Sequence, residues 1–412
     1  MERKKTIIRK DGRLSLPKDQ QRRWGLVPGA EVSFQETDRG LLLRRADPAL
    51  HKVYVEPTTA CNLNCRICMR NSWSEPSGFM EMPTYRRLVA GLEARPTLAK
   101  VAFWGFGEPL LHPDIVEMVA LAKGLGAKTE LISNGLLLNR SIAEGLVTAG
   151  LDTLVLSVDG GPADACADTK SGSDLGVVQE NVQVLHAVRR ARGALHPQIG
   201  LEFVVTHHNV QQLPNLRRLA LRMGAKFVLI TNLLPYSSDT KDDITYWLSV
   251  DARGPSVYFP EIRLPPIDGR PQYLQPLLEL LRHAGAVDTS QRDFSGADGY
   301  CRFVHEGAAA ISWDGAVSPC IPLMHSYTCY VLGRQKSIRR CTLGNVKQED
   351  IITIWNRAEF AQLRSKVVGF EFSPCAECGG CHMAESNEED CYGNTFPVCG
   401  DCLWARGIIQ GP

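Results

Sequence analysis

Between residues 52 and 232, short apolar runs alternate with longer segments in which apolar residues recur every three or four positions. The runs predict six strands, at residues 53–56, 101–104, 129–132, 153–157, 200–205 and 227–230. The longer segments predict helices near residues 84–93, 113–124, 141–149, 175–190 and 213–223. Such alternation is typical of βα units, whose strands form a parallel sheet. We therefore expect an α/β fold, either a partial (β/α)6 barrel or a doubly wound sheet, with its chemistry at the C-terminal ends of the strands.

The segments on either side of this array have different patterns. Residues 1–48 contain four short runs, at 6–8, 14–16, 31–34 and 41–44, and predict a small β domain with net charge +5. Residues 233–300 contain seven prolines and predict an irregular bridge over the mouth of the barrel. Residues 301–412 are rich in cysteine. We expect them to have few strands or helices and to be held together more by metal than by an apolar core.

The composition limits the class of protein. A length of 412 residues allows two to four domains, and 44% hydrophobic residues is ordinary for a globular protein. A net charge of +1 argues against a chain built as a polycation for nucleic acid. Charge returns at Arg9 before an apolar run of signal-peptide length can form, and no stretch reaches the roughly 20 apolar residues of a membrane helix. These features predict a cytoplasmic protein without a membrane anchor.

Fourteen cysteines are too many, and too clustered, for scattered structural thiols. In a reducing cytoplasm such clusters indicate metal binding rather than disulfides. Directly after the first predicted strand, Cys61, Cys65 and Cys68 follow the spacing C-x3-C-x2-C. Three thiolates can hold three irons of a four-iron cluster and leave the fourth iron open to a small molecule. A zinc site with a distant fourth ligand is the alternative.

This cysteine loop resembles that of the radical S-adenosylmethionine (SAM) superfamily, although Ile67 stands where the family has an aromatic or bulky residue. The resemblance implies a partial (β/α)6 barrel and a [4Fe–4S] cluster whose open iron binds the amino and carboxylate groups of SAM. An electron from the cluster then cleaves SAM to methionine and a 5′-deoxyadenosyl radical, which abstracts hydrogen from a substrate. Reduced ferredoxin or flavodoxin is the electron donor that the resemblance implies.

Other strand ends carry further candidates. The turn after the second strand resembles the family's G-G-E-P motif, with Phe106 in place of the first glycine. The resemblance implies a SAM-binding role for Gly105, Gly107, Glu108 and Pro109. The third and fourth strands end in turn-forming polar residues that could hold the ribose or carboxylate of SAM. These candidates are Ser133, Asn134, Ser157 and Asp159.

The C-terminal cysteines follow a second pattern, which resembles the SPASM extension of radical SAM enzymes through a W-D-G turn at residues 313–315. Eight thiolates match the need of two fully ligated four-iron clusters. These cysteines are Cys301, Cys320, Cys375, Cys378, Cys381, Cys391, Cys399 and Cys402. We expect the first two to share one auxiliary [4Fe–4S] cluster with Cys391, the next three to hold another, and the last two to complete them. A zinc ribbon is the alternative.

Three cysteines have no place in this scheme. We expect Cys166 to be a buried free thiol, and the spacing assigns no role to Cys329 or Cys341.

Residues 50–412 as a whole resemble the radical SAM maturases associated with tungsten-containing, aldehyde:ferredoxin-type oxidoreductases. The resemblance rests on residues 55–57, 61–73 and 313–323, and on N-E-E-D-C-Y-G-N at 387–394 and C-G-D-C-L-W-A at 399–405. It implies a role in maturing the tungsten enzyme or its pterin cofactor. A SPASM enzyme that oxidises Cys or Ser, or forms thioether crosslinks, in a peptide or protein is a second hypothesis. An iron–sulfur redox-sensing regulator is a third.

Residues 1–48 resemble the AbrB-type swapped-hairpin domain, through the pattern IIRKDGRLSLPKDQQRRWGLVPGAEVSF. The resemblance implies a homodimer or a docking module formed by these residues, and we favour that role over DNA binding.

Overall fold

A computed structural model describes residues 32–37, 40–45, 49–93, 97–158, 174–246, 249–250, 261–263, 267–282, 286–288, 300–376 and 381–411. Its strands are β1 Val32–Thr37, β2 Gly40–Arg45, β3 Lys52–Val55, β4 Lys100–Phe103, β5 Lys128–Ser133, β6 Thr153–Ser157, β7 Gln198–Val205, β8 Ala225–Asn232, β9 Ser249–Val250, β10 Glu261–Arg263, β11 Ile267–Asp268, β12 Ala286–Asp288, β13 Ala308–Ile311, β14 Ala316–Ser318, β15 Tyr327–Val331, β16 Arg334–Ile338 and β17 Gly344–Asn345. Its α-helices are α1 Met82–Leu92, α2 Ile115–Gly124, α3 Arg140–Ala149, α4 Leu175–Ala191, α5 Leu213–Met223, α6 Pro271–Arg282, α7 Arg302–His305, α8 Ile351–Trp355 and α9 Ala358–Gly369.

Strands β3 to β8 form a parallel sheet in which each strand pairs with the next one along the chain. All six predicted strands and all five predicted helices of this region are present, with boundaries within about two residues of those expected. A doubly wound sheet reverses its strand order in the middle, and β3 to β8 show no reversal. The sequential order is the one expected for a partial (β/α)6 barrel, and closure of that barrel stays a prediction.

The helices of this sheet begin and end at residues with local reasons to be there. The Asn139 side chain accepts a hydrogen bond from the Ile142 N–H at the start of α3, and Gly150 ends the helix with φ of 78°. Glycine adopts that left-handed backbone at no steric cost, so the chain can turn directly into β6. None of the helices in the described parts of the chain is long and apolar enough to cross a membrane.

The two faces of the sheet are covered by different parts of the chain. Alternate strand residues such as Val53, Val101 and Phe103 pack with the helices in one apolar core. The residues between them, such as Tyr54 and Ala102, pack instead against the C-terminal region. From that region come Phe303, Ala310, Met324, Val367 and Ala405. The C-terminal region is therefore fixed to the inner face of the sheet, on the side opposite the helices.

The prediction of an irregular bridge at residues 233–300 is wrong in part. Strands β10 and β12 extend the parallel sheet beyond β8, and α6 packs with the helical core through Tyr273, Leu277 and Leu280. The proline count was misleading, because Pro271 opens α6 at a position that needs no N–H donor. Pro276 lies inside the helix, where burial of the apolar stripe compensates for the lost hydrogen bond.

The expectation of few regular elements in residues 301–412 is also wrong. Strand β13 pairs in parallel with β3, so the C-terminal region continues the central sheet, and β14 and β17 follow it in antiparallel pairing. Buried apolar residues of this region pack with one another and with the sheet. An apolar core therefore contributes to holding this region together.

At the N-terminal end, β1 and β2 form an antiparallel hairpin with Thr37 paired to Gly40. This hairpin agrees with the strands predicted at 31–34 and 41–44. The earlier runs at 6–8 and 14–16 lie outside the described residues, and the swapped-hairpin dimer stays a prediction.

Asp152 lies immediately before β6 and connects this strand to helix α2 and strand β5 through hydrogen bonds. Its carboxylate accepts hydrogen bonds from Lys123 Nζ at 2.7 and 2.8 Å and from the Thr129 N–H at 2.8 Å. Burial alone would raise the pKa of Asp152, but these donors hold it below its ordinary value. The stabilisation is therefore present above the unfolded-state pKa and is lost as pH falls through the lower folded-state pKa.

We predict that Asp152→Asn lowers the free energy of unfolding at pH 7 by about 1–3 kcal/mol, because a charge-assisted network is lost. Thermal unfolding followed by circular dichroism at pH 7 and at about pH 3 measures the effect, which should shrink at the lower pH. Glu117→Gln, which removes an exposed ion pair with Arg86, is the control and should change little. An effect of Asp152→Asn that is equal at both pH values would contradict the prediction.

Candidate functional site

The loop that carries Cys61, Cys65 and Cys68 begins directly after β3 and is held by its own backbone. The Cys68 N–H donates to the Cys65 carbonyl at 3.1 Å, and the Asn71 side chain donates to the same carbonyl at 2.8 Å. All three cysteines are partly exposed. The structure therefore brings together the three residues that the spacing predicted.

Arg70 lies among these thiols. Its Nε donates to Cys68 Sγ at 3.4 Å and its Nη2 to the Leu63 carbonyl at 2.8 Å, while the Leu63 N–H points at Cys61 Sγ at 3.5 Å. Burial would lower the pKa of Arg70, but the three neighbouring thiols raise it. Burial also raises the pKa of Cys61, so the thiol needs such donors to ionise. A guanidinium beside three thiols favours the thiolate form, which is the form that binds metal.

The donor set fits an iron–sulfur cluster better than a single ion. Among the described residues, no three His, Cys, Asp or Glu side chains converge closely enough to hold one metal ion. A zinc site needs its thiolates about 2.3 Å from one centre. In a four-iron cluster each thiolate binds a different iron, so the sulfur atoms stand further apart.

The turn after β4 packs against this loop without space for side chains at its glycines. A Cβ on Gly107 would lie 2.2 Å from the Thr58 carbonyl oxygen and 2.6 Å from that of Ala60. A Cβ on Gly105 would lie 2.4 Å from Glu56 Cγ. Glycine at both positions is therefore required for the close approach of the turn to the cysteine loop.

Glu108 ties this turn to the next strand end. Its buried carboxylate accepts hydrogen bonds from Ser133 Oγ at 2.7 Å, from the Asn134 N–H at 2.8 Å and from the Leu110 N–H at 3.0 Å. Asn134 Nδ2 in turn donates to Asn62 Oδ1 in the cysteine loop at 2.8 Å. The carboxylate, which sequence reasoning expected to face SAM, is thus engaged in holding three segments in register.

The remaining candidates of the predicted SAM site lie at the same edge of the sheet or outside the described residues. Pro109 opens a short 3-10 helix after the turn, and Ser157 ends β6 opposite Glu202 of β7. Asp159 and Cys166 lie outside the described residues, as does Cys378 of the C-terminal region. The structure therefore brings together Gly105, Gly107, Glu108, Pro109, Ser133 and Asn134 beside the cysteine loop.

Four C-terminal thiols form a second group. Burial raises the pKa of the Cys320 thiol well above its ordinary value, and the neighbouring thiols of Cys301, Cys402 and Cys399 raise it further. Four thiolates in an apolar pocket repel one another, so their joint ionisation requires a bound cation. Backbone N–H groups already point at two of the sulfurs, from Leu323 to Cys320 and from residues 404 and 405 to Cys402. Such hydrogen bonds stabilise the thiolates of iron–sulfur clusters.

This grouping differs in part from the expected division of ligands. Cys391 was expected beside Cys301 and Cys320, with Cys399 and Cys402 completing the two clusters. In the structure Cys391 is exposed, and the thiols of both Cys399 and Cys402 lie near Cys320. The spacing alone did not show this, because the pairing depends on how residues 371–402 fold back onto the sheet.

The other C-terminal cysteines differ in their surroundings. Cys375 is buried with its sulfur 2.9 Å from Ser373 Oγ, whereas Cys381 is exposed like Cys391. Cys329 and Cys341 are buried near the four-thiol group, and burial raises the pKa of Cys341 to about 11. Burial raises the pKa of the Cys329 thiol as well.

Sequence reasoning missed one polar group beside the turn. His325 lies between Glu56 and Glu75, with ring nitrogens 2.8 and 2.5 Å from their carboxylates. Glu56 also accepts a hydrogen bond from the Phe106 N–H at 3.0 Å. These residues are up to 269 positions apart, and no spacing could have joined them.

Comparisons with known proteins agree with this geometry. The sequence matches the Radical SAM superfamily over residues 55–220 and the SPASM iron–sulfur cluster-binding domain over residues 301–382. The tungsten-containing aldehyde ferredoxin oxidoreductase cofactor-modifying protein of Pyrococcus furiosus is 30% identical over 363 residues, which cover 87% of this chain and 96% of that protein.

Two solved structures share the fold at low identity. Native anSMEcpe with bound AdoMet aligns with a TM-score of 0.53 and 17% identity, over 87% of this chain and 96% of that one. Streptococcus suis SuiB bound to S-adenosylmethionine aligns with a TM-score of 0.51 and 17% identity, over 81% and 73%. The chain therefore belongs to the radical SAM superfamily, as an enzyme with a SAM-binding [4Fe–4S] cluster and a SPASM domain for auxiliary iron–sulfur clusters.

Proposed function

We propose that this enzyme acts in the maturation of a tungsten-containing oxidoreductase or of its pterin cofactor. The observation that carries the proposal is the similarity to the Pyrococcus furiosus cofactor-modifying protein, which extends over 96% of that protein's length. A match of this extent covers most of both chains. Cys61, Cys65 and Cys68 would hold a cluster that, when bound, would supply the electron for the reductive cleavage of SAM.

In this proposal Cys61, Cys65 and Cys68 hold the SAM-binding cluster, and Arg70 keeps their thiolates ionised. Their partial exposure is consistent with a cluster that small molecules can reach. The candidates that hold SAM beside it are Gly105, Gly107, Glu108, Pro109, Ser133, Asn134, Ser157 and Asp159. The backbone of the turn and the carboxylate of Glu108 would contact the ligand, and the hydrogen bonds from Ser133 and Asn134 would orient that carboxylate.

We further propose two auxiliary [4Fe–4S] clusters. The mutual proximity of Cys301, Cys320, Cys399 and Cys402 supports one four-thiolate set. The second would be held by Cys375, Cys378, Cys381 and Cys391, which lie close together in the sequence. Reduced ferredoxin or flavodoxin would be the electron donor.

The proposed domains keep the boundaries drawn from the sequence. They are an AbrB-like module at 1–48, through which two chains would associate, the radical SAM sheet at 49–232, the bridge at 233–300 and the SPASM region at 301–412. The hairpin of β1 and β2 supports the first. The pairing of β10 with β8 and of β13 with β3 supports placing the last two on the sheet of the second.

The function is tested with a deuterated precursor form of the pterin cofactor, isolated from cells that are grown on labelled medium and lack this enzyme. We predict that the anaerobically reconstituted enzyme, with reductant and SAM, transfers deuterium into 5′-deoxyadenosine. Cys65→Ala should form no 5′-deoxyadenosine, because its cluster loop loses a ligand. Deuterium transfer only from a labelled peptide would contradict the cofactor role and favour a peptide-modifying enzyme. SAM cleavage at the wild-type rate by Cys65→Ala would contradict the mechanism.

The packing of the glycine turn gives a second prediction. Gly107→Ala places a Cβ against two backbone oxygens, so the turn or the cysteine loop must move. We expect 5′-deoxyadenosine formation to fall about a hundredfold, the usual effect of a displacement of about 1 Å in an active site. Gly124→Ala, at the end of α2 with no atom within 4 Å of the new Cβ, is the matched control and should keep full activity. Equal activity of the two variants would contradict the assigned role of the turn.

The grouping of auxiliary ligands is tested by counting iron. Three four-iron clusters give about 12 irons per chain after reconstitution. We predict that Cys320→Ala, Cys399→Ala and the double variant each lose about four irons, because both residues serve the same cluster. Cys341→Ala, which removes a buried thiol outside the set, should keep all of them. A double variant that loses about eight irons would show that the two residues serve different clusters. A wild-type protein with about four irons and bound zinc would show that the C-terminal cysteines form a zinc domain.

A further inference from the structure

His325 is a fully buried histidine with a carboxylate at each ring nitrogen. Its Nδ1 lies 2.5 Å from Glu75 Oε2, and its Nε2 lies 2.8 Å from Glu56 Oε2. Glu56 immediately follows β3 and Glu75 follows the cysteine loop, whereas His325 belongs to the SPASM region. The three side chains therefore join the two functional parts of the enzyme at one buried point.

Both ring nitrogens must carry a proton for this arrangement to be favourable. A neutral imidazole donates from only one nitrogen. The lone pair on its other nitrogen would then face the lone pairs of a carboxylate oxygen, and the two would repel each other. Burial would lower the pKa of His325, but Glu56 and Glu75 raise it above its ordinary value. The Trp73 ring lies with its centroid 4.3 Å from the imidazole, where it favours a cation.

The imidazolium acts on the glycine turn through Glu56. While Oε2 of Glu56 accepts from His325, Oε1 accepts from the Phe106 N–H at 3.0 Å. The side chain of Glu56 also fills the space beside Gly105, where a Cβ would collide with it. The rotamer of Glu56 is thus set by His325 on one side and determines the backbone of the turn on the other.

Phe106 forms a second contact between the glycine turn and the SPASM region. Its ring lies 5.8 Å, between centroids, from both Trp73 and His325. This contact gives a reason for phenylalanine where the resembling motif has glycine. The side chain fills the space between the turn and the SPASM region instead of leaving it open.

We propose that His325 is a positioning residue that clamps Glu56, fixes the turn from Gly105 to Glu108, and thereby sets the affinity of the enzyme for SAM. The proposal deepens the proposed function and rests on the role given there to the turn. It makes SAM binding dependent on the docked state of the SPASM region, because the clamp comes from that region.

The clamp has a defined pH dependence. The charged groups that face His325 are Glu56 and Glu75, and the nearby Asp314 and Arg340 pair with each other at 2.9 Å and add no net charge. Because the pKa of His325 is raised, the clamp is complete at lower pH and is lost as pH rises through that pKa. The KM for SAM should therefore increase on the alkaline side.

The test compares His325→Gln, Glu75→Gln and the wild type, each reconstituted anaerobically as the full chain. We expect His325→Gln to raise the KM for SAM about tenfold, the effect of losing one buried charged hydrogen bond, with little change in kcat or iron content. Its KM should no longer depend on pH in the range where that of the wild type does. Glu75→Gln should move the pH dependence to lower pH, since one of the two carboxylates that raise the pKa becomes neutral.

His186→Gln is the matched control and should leave the KM for SAM unchanged. The ring of His186 bonds to the Met223 carbonyl among the outer helices, away from the turn. A wild-type KM and pH profile in both His325→Gln and Glu75→Gln would overturn the clamp. If His325→Gln fails to take up iron, the pH profile of Glu75→Gln decides alone, and an unshifted profile overturns the proposal. A wild type that forms no 5′-deoxyadenosine would instead overturn the proposed function.

Discussion

The site depends on backbone atoms of two segments lying in direct contact at the C-terminal edge of the sheet. The turn at residues 105–109 approaches the carbonyls of Thr58 and Ala60 more closely than any side chain would allow, and the Glu108 N–H donates to the Ala60 carbonyl at 2.8 Å. A parallel sheet places successive strand ends side by side, but it does not by itself bring loops to this separation. The two glycines permit this close contact, and the hydrogen bonds to the buried Glu108 carboxylate hold the segments in place. A ligand held by the turn therefore lies beside the cysteines with little freedom to move.

Electrostatics divides the thiols into two environments that suit different tasks. The three thiols of the N-terminal loop are partly exposed, and a guanidinium faces them, so ionised sulfur is stabilised while solvent and small molecules keep access. The four-thiol group packs against aromatic and aliphatic side chains on the inner face of the sheet. Cys301 is buried, the other three thiols are partly buried, and backbone N–H groups are their donors. Burial and negative charge disfavour reduction of an iron–sulfur cluster, whereas hydrogen bonds to sulfur favour it. The reduction potential of a cluster at the four-thiol group therefore depends on how residues 301–405 pack around it and on the N–H groups that they direct at its sulfurs.

The sequence predicted what periodicity and local spacing can encode. The six strands and five helices of residues 52–232 were predictable because each unit shows its own alternation and is bounded by turn residues. The C-x3-C-x2-C loop was predictable because its ligands are local. Helix α6 was not, since two of its residues are prolines and its stabilisation comes from Tyr273, Leu277 and Leu280 packing on a distant core. The grouping of Cys301 with Cys399 and the pairing of His325 with Glu56 depend on contacts across 98 and 269 positions, which no local pattern records.

The strand β13 gives these long-range contacts their rigidity. It pairs with β3 from Lys52 to Val55, so the chain that leads to Trp313, Cys320 and His325 starts from the same sheet position as the cysteine loop. Two loops that leave adjacent parallel strands at the same end start from positions that are fixed by the hydrogen-bond register of those strands. A movement of the SPASM region would therefore have to break β13 from β3 or distort the loop after β14. Because Glu56 immediately follows β3 and His325 follows β14, such a distortion would change the contact between them before it changed the sheet. The Glu56–His325 contact is thus the point at which the SAM site responds to changes in the C-terminal region.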